Sequence, residues 1–295
     1  MRHEPEVSKS HNQKMTEPDA DEGIPPTEMI YYTYEGNFEL ECSSKVVSID
    51  QKDSGDEKPA TVELCLDRTV MHAQGGGQPT DIGSITYQQD EKEIKVHINK
   101  VLIDRETGVA AHHGAVENKN DLVCLPPVGT AVRVSVDRDT RQILSECHTA
   151  GHVVDSAMAR CGKLMKPTKG YHFLDGSYVE YEGSIPVEER SQVLKDLQTA
   201  FQELVGEDIP TKIETMSEDR ANELCNRIAK NFDMKDFGGG KDEPTDIRVV
   251  TVAGFPCPCG GTHVKSTGVL KANGWNVTGI KSKKGVVRVK YGQTT

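Results

Sequence analysis

No apolar run in this 295-residue chain approaches 18 residues, so no segment reads as a membrane-spanning helix. The first fifteen residues, MRHEPEVSKSHNQKM, lack an apolar centre and do not read as a secretory signal. With no export signal, the eight cysteines are expected as reduced thiols or metal ligands rather than a disulfide framework, and the expected compartment is the cytosol. No internal repeat is present. From Val264 to Thr295 there is no acidic residue, while Lys265, Lys271, Lys281, Lys283, Lys284, Arg288 and Lys290 remain. The net charge of −11 argues against a nucleic-acid partner, but its distribution leaves that basic end as either a solvated edge or a phosphate-binding patch.

What is present is ordinary for a globular protein: 35% hydrophobic and 27% charged residues, with length enough for two modest domains. Residues 1–28 hold seven acids against three Lys/Arg and almost no large apolar residue, which predicts a disordered acidic tail. From Met29 to Val136 short alternating or β-branched runs predict strands at Ile30–Tyr34, Phe38–Cys42, Lys45–Asp50, Ala60–Asp67, Gly83–Tyr87, Ile94–Leu102 and Thr130–Val136. Turn clusters such as Asp53–Asp56 separate them, and so many short strands predict a small β-barrel over 29–136. His112-His113-Gly114 is expected at a turn or strand end, with the two imidazoles on opposite faces.

Residues 137–295 read as α+β. Ile143, Leu144, Cys147, Val154, Ala157 and Met158 recur at helical spacing and predict a helix over 138–160. Pro186–Gly206 carries an apolar stripe of Val193, Leu194, Leu197, Phe201 and Leu204. Ser217 is the expected N-cap of a third helix ending near Phe232, followed by a loop at Phe237–Gly240. Strands are expected at Ile247–Val252, Trp275–Lys281 and Val286–Tyr291.

Two segments carry ligand chemistry. His148-Thr149-Ala150-Gly151-His152 places two imidazoles four positions apart on the first helix, hence on one face. Cys259-Gly260-Gly261-Thr262-His263 pairs a thiolate with an imidazole at the same spacing, in a stretch where Pro256, Pro258 and the glycines predict a tight turn. Ten histidines place a chance i,i+4 pair in about one such chain in three, so neither pair decides alone. Together His148, His152, Cys259 and His263 make a Zn²⁺-type donor set. Cys257 is the alternative thiolate, disfavoured by its spacing. Thr149 stands where a zinc peptidase needs its glutamate base, so a peptidase reading loses support. The segment Gly75-Gly76-Gly77-Gln78-Pro79-Thr80-Asp81-Ile82-Gly83 lies between strands and matches neither a Walker loop nor a dinucleotide fingerprint.

These three segments, in this order, resemble the alanyl-tRNA editing proteins of the AlaX type, which are similar to the editing domain of alanyl-tRNA synthetase. The likeness runs from about Cys65 to Tyr291 and includes Lys169–Phe173 and Val179–Tyr181. It implies an N-terminal barrel like a translation-factor domain, then an α+β editing domain over 137–295. It implies hydrolysis of the ester between a wrong amino acid, chiefly serine, and tRNA(Ala), with His148, His152, Cys259 and His263 holding zinc. The glycine segment would lie at the mouth of the site. Many synthetase editing domains have Thr directly before the second His; this chain has Gly151. A site that distinguishes serine from alanine needs a polar group at the serine hydroxyl. Gln78, Thr80 and His172 are the candidate contacts, alongside the metal. Thr149 is expected to face away from the substrate. Other readings are deacylation of a different mischarged tRNA, such as Ser-tRNA(Thr), and a zinc-stapled RNA-binding module without catalysis. The sequence says nothing of oligomeric state.

Overall fold

The structure, a computed structural model, describes residues 23–52, 61–116, 125–228 and 246–294. Most of the acidic tail, the Asp53–Asp56 turn, Phe232 and the Phe237–Gly240 loop lie outside the described residues. Its first part comprises β1 (Glu28–Met29), β2 (Glu41–Lys52), β3 (Thr61–Leu66), β4 (Arg68–Thr69), β5 (Gly83–Gln89), β6 (Lys92–Ile103), β7 (Ala110–Val116) and β8 (Ala131–Val136). Six of these close into an antiparallel barrel in the order β2-β3-β7-β6-β5-β8. The pleat decides which side chains enter it. Along β8, Val132, Val134 and Val136 are buried, while Ala131 and Arg133 are exposed. The closing interior is filled by Val46, Leu64, Leu66, Ile85, Val96, Ile98 and Val101. Closure removes the free edges that six short strands would otherwise present.

Two expected strands are corrected. Ile30–Tyr32 and Gly36–Phe38 are 3-10 turns, and the strand expected from Phe38 begins only at Glu41. Thr33 is the reason: its hydroxyl donates to the Ile30 carbonyl (3.2 Å) and accepts from the Gly36 amide (3.0 Å), an alternative to a sheet ladder. Strand β7 adds one that the pattern missed. His112 and His113 sit inside it and do face opposite ways: His112 is buried between Thr69 Oγ1 and the Leu64 carbonyl, while His113 meets Glu63 outside. Thr27 is already buried, its hydroxyl donating to the Leu66 carbonyl at 2.9 Å, so barrel contacts begin before Met29.

The second part opens with α1 (Arg138–Arg160), capped by Asp137, whose carboxylate accepts from the Thr140 amide at 2.9 Å. There follow β9 (Pro167–Tyr171), β10 (Tyr178–Glu182), α2 (Arg190–Gly206), β11 (Lys212–Met216), α3 (Glu218–Asn226), β12 (Ile247–Val252), β13 (Phe255–Pro258), α4 (Gly268–Ala272), β14 (Trp275–Lys283) and β15 (Val286–Gln293). They form a four-stranded sheet, β14-β15-β10-β9, and a three-stranded sheet, β11-β12-β13. The fold is therefore α+β behind a barrel. Val193, Leu197, Phe201 and Leu204 of α2 are buried against Val277, Val287 and the apolar face of α1. No described helix is long and apolar enough to cross a membrane. Helix α3 follows Ser217, whose side chain makes no capping bond, and ends at Asn226. Pro256 and Pro258 lie in β13 rather than in a turn; β13 is an edge strand, where a missing amide donor is tolerated.

Helix α1 joins the two parts through a buried ion pair. The Arg141 guanidinium grips Asp81, at the end of the glycine segment, with Nε 2.9 Å from Oδ2, and donates to the Val70 carbonyl at 2.6 Å. Removing one partner strands a charge in the interior. Asp81→Ala is expected to lose about 3–5 kcal/mol of unfolding free energy, measured by denaturant titration. The barrel also holds neutral imidazoles: burial lowers His72 and His112 from the usual 6.5 to about 4 each. Between those values only the unfolded chain takes up these protons, so stability is present above pH 6.5 and declines as pH falls towards 4. Urea titrations across that window check the slope, and His112→Gln should flatten it.

Candidate metal centre

The four residues singled out by spacing do converge. One ligand atom from each of His148, His152, Cys259 and His263 lies within 4.8 Å of all the others. Cys259 Sγ is 3.5 Å from His148 Nε2 and 3.3 Å from His263 Nε2. A tetrahedral ion with metal–nitrogen bonds of about 2.0–2.1 Å and a metal–sulfur bond of about 2.3 Å has nitrogen–sulfur edges of roughly 3.5 Å. The two edges at Cys259 therefore have the length a coordination shell requires. His152 Nδ1 is buried with no hydrogen-bond partner, a further sign of a site made for a cation. Burial keeps the imidazoles unprotonated, holding His148 and His263 well below their usual pKa and His152 at about 4. Burial raises the Cys259 thiol, and the nearby Arg248 cation opposes that rise. Cys257 is not part of the cluster.

The side chains behind the ligands fix which nitrogen faces the centre. Gln78 Oε1 accepts from His148 Nδ1 at 2.6 Å and from the Thr262 amide at 2.9 Å, and its Nε2 donates to Thr262 Oγ1 at 2.8 Å. His148 Nδ1 therefore carries the proton, and Nε2 is free to ligate. Thr149 does the same for His263. Its hydroxyl donates to the Ser145 carbonyl (2.7 Å) and so receives His263 Nδ1 (3.2 Å) and the Val264 amide (3.1 Å). Thr149 is expected to face away from the substrate; it is buried and not idle. Two further residues were not found from the sequence. Asn37 pairs with both backbone groups of His263, at 2.8 and 3.0 Å. Arg248 bonds the carbonyls of Tyr32 (2.9 Å) and Cys259, pinning the turn. Gly261 has no room for a side chain, because a Cβ there would strike the His148 ring and Gln78.

A cavity of about 760 Å³ opens beside the cluster, lined by His148, His152, Cys259, Gly76, Gly77, Asp155, Lys169, Gly170, His172 and Arg248 among others. Of the expected substrate contacts, His172 alone borders it. Gln78 is fully buried and spends its bonds on His148 and Thr262. Thr80 Oγ1 is bonded by the Val101 amide at 2.7 Å inside the barrel loop. Asp155, held by the Tyr181 hydroxyl at 2.6 Å, has a carboxyl raised by burial to about 7.

Residues 247–290 match the family model described as the threonyl and alanyl tRNA synthetase second additional domain. The alanyl-tRNA editing protein AlaX-M of Methanosarcina mazei is 29% identical over 227 residues, covering 73% of this chain and 83% of that protein. Its counterpart in Methanosarcina barkeri is 27% identical over 250 residues, 83% of this chain and 90% of that one. The chain is thus similar over most of its length to alanyl-tRNA editing proteins. The alanine–tRNA ligase of Methanothermobacter thermautotrophicus is 30% identical over 266 residues, 86% of this chain. The chain spans about a quarter of the length of the ligases it matches, 25% in that case.

Gly151, where many synthetase editing domains carry Thr, has a physical reason here. A Cβ would lie 2.5 Å from His172 Cε1, 2.7 Å from its Nδ1 and 2.9 Å from the Tyr291 hydroxyl. The His172 ring fills that room, stacked on His148 at 4.2 Å and bonded through Nδ1 to Tyr291 at 2.5 Å. Gly151→Ala should therefore cost about 1–3 kcal/mol, and His172→Ala should relieve it, in a double-mutant cycle of unfolding free energies. Gln78→Ala should weaken metal binding about 10–100-fold with little change in secondary structure, measured by chelator competition.

Proposed function

We propose that this protein is a zinc-dependent deacylase of mischarged tRNA(Ala), acting chiefly on the seryl ester in the cytoplasm. The observation that carries the reading is the cluster itself. Two imidazoles and a thiolate border a cavity of about 760 Å³, a volume that suits a ligand the size of an aminoacylated nucleoside. The editing proteins and ligases to which the chain is similar support tRNA(Ala) as the carrier. A donor set of three nitrogens and one thiolate favours zinc.

The reaction is addition of water to the ester carbonyl, followed by cleavage of the carbon–oxygen bond to the ribose, which releases serine and a tRNA hydroxyl. A bound zinc ion would supply polarisation of the ester and acidification of water. The protein's own residues do the positioning. Gln78 and Thr149 hold the two ligand imidazoles in one tautomer. His172, whose Nε2 makes no hydrogen bond to any described residue, is the candidate partner for the serine hydroxyl. Its Nδ1 is bonded to the Tyr291 hydroxyl at 2.5 Å. With that hydroxyl as the donor, Nε2–H would be left to meet the serine hydroxyl. A site that bonds the substrate hydroxyl rejects the analogue lacking it by large factors, which is what sparing alanyl esters requires.

A second reading, deacylation of Ser-tRNA(Thr), is favoured by one observation: the matched family model takes its name from threonyl as well as alanyl synthetases. Purified protein incubated with Ser-tRNA(Ala), Ala-tRNA(Ala) and Ser-tRNA(Thr) separates the two. Rapid loss of the first ester with the second spared is expected. Chelation or His148→Ala should abolish it while circular dichroism shows the fold intact. No selective loss of seryl ester from tRNA(Ala) sinks the proposal.

A further inference from the structure

The acid-free C-terminal stretch forms β14 and β15, and with β9 and β10 it builds a sheet with two unlike faces. The inner face carries Val179, Tyr181, Val277, Val287, Val289 and Tyr291, all buried against the helices. Cross-strand partners place the outward side chains in two rows. One row reads Lys169, Glu180, Arg288, Lys281; the next reads Tyr171, Tyr178, Lys290, and then Gly279, where a side chain would meet nothing. Lys283 extends the basic character, and Glu182 is the second acid on the face. Five cations thus stand against these two acids and Asp175, which accepts from the Tyr171 hydroxyl at 3.0 Å, on a chain whose net charge is −11. Lys169, Lys281 and Lys283 are exposed.

The aromatic rings on this face are stacked. Tyr171 lies nearly parallel to Phe173 (4.6 Å, 16°) and to Tyr178 (5.2 Å, 18°), and the Arg288 guanidinium sits 4.0 Å over the Tyr178 ring. Basic side chains beside a half-exposed aromatic stack that Phe173 ends on the side away from Arg288 suit an RNA strand: cations for phosphates, a π surface for a base. Strand β9 links this face to the cavity, because Pro167, Thr168, Lys169 and Gly170 line the one and Lys169 and Tyr171 begin the other. Three strand intervals of about 4.8 Å carry the face roughly 14 Å from the cavity edge.

We propose that the outer face of the β14-β15-β10-β9 sheet is the RNA-docking surface, which receives the acceptor end of the tRNA as its aminoacylated terminus enters the cavity at β9. Lysines 281, 283 and 290 contact phosphates, and the Phe173–Tyr171–Tyr178 rings stack an unpaired base. This assignment rests on the tRNA reading given above for the same site.

The test uses the full chain and uncharged tRNA(Ala), so that it does not depend on hydrolysis. Binding is followed by fluorescence anisotropy over a range of salt concentrations. Lys281→Glu combined with Lys290→Glu should weaken binding at least ten-fold and lower the salt slope by about two. Phe173→Ala should weaken binding about five-fold or more with the slope unchanged. Hydrolysis of a seryl ester of adenosine, too small to reach across the sheet, should be the same in the lysine double variant as in wild type. Unchanged affinity and slope in the charge-reversed protein, with an unaltered melting temperature, overturn the proposal, as does wild-type protein that does not bind uncharged tRNA(Ala). Failure to cleave the adenosine ester while tRNA binding responds as expected would count against the deacylase reading and leave this surface standing.

Discussion

The metal cluster depends on one amide. Gln78 is held at the tip of a short loop by paired backbone bonds with Gly75, at 2.9 and 3.2 Å, and reaches from the barrel into the second part of the molecule. Its carbonyl oxygen answers to both ligand segments, the α1 imidazole and the Thr262 amide, the latter 184 residues away in sequence. Its nitrogen closes the third bond on Thr262 Oγ1. A fully buried amide carries a large desolvation penalty that its bonds must offset, so losing any of the three weakens the whole joint. The Arg141–Asp81 pair anchors the other end of the same segment to the same helix. Between them the glycine segment becomes the hinge pin on which two distant pairs of ligands meet.

Electrostatics bears on what the meeting point could hold. Three buried imidazoles crowded together cannot accept protons without large cost, so they remain lone-pair donors. Arg248, itself buried and drawn below its usual pKa by desolvation, lies close enough to favour the Cys259 thiolate over the thiol. Lone-pair donors around one thiolate are a set that could hold a divalent ion.

How much of this was legible follows from the range of each interaction. Spacing at i and i+4 fixes a helix face, and a glycine-flanked Cys–His pair needs only local geometry, so all four members of the cluster were readable from the chain. Helix α1 was readable to its ends because Asp137 caps it and its apolar period is unbroken. Gln78, Asn37 and Arg248 act across 70 to 226 residues, and no local pattern distinguishes a glutamine that orients a ligand from one that touches a substrate. The glycine segment gave the address but not the role. Strand β7 escaped because His112, His113 and Gly114 depress its β character, and the turns at 30–38 because Thr33 offers the backbone a local partner that hydropathy does not register.

Strand β15 shows how tightly the cavity and the surface beside it are tied. Its period of two sends Val287, Val289 and Tyr291 inward and Arg288 and Lys290 outward. Tyr291 carries the His172 ring, which fills the space left by Gly151 and stacks on a ligand. Arg288, three residues earlier on the opposite face, covers the Tyr178 ring and pairs with Glu180 at 2.5 Å. A one-residue slip of this strand would exchange the two sets, putting a hydroxyl into solvent and a guanidinium into the core. The buried valines forbid that slip, since each would lose its apolar burial at once. The packing that makes the sheet stable is therefore also what keeps the cavity's imidazole in place and the cations turned outward.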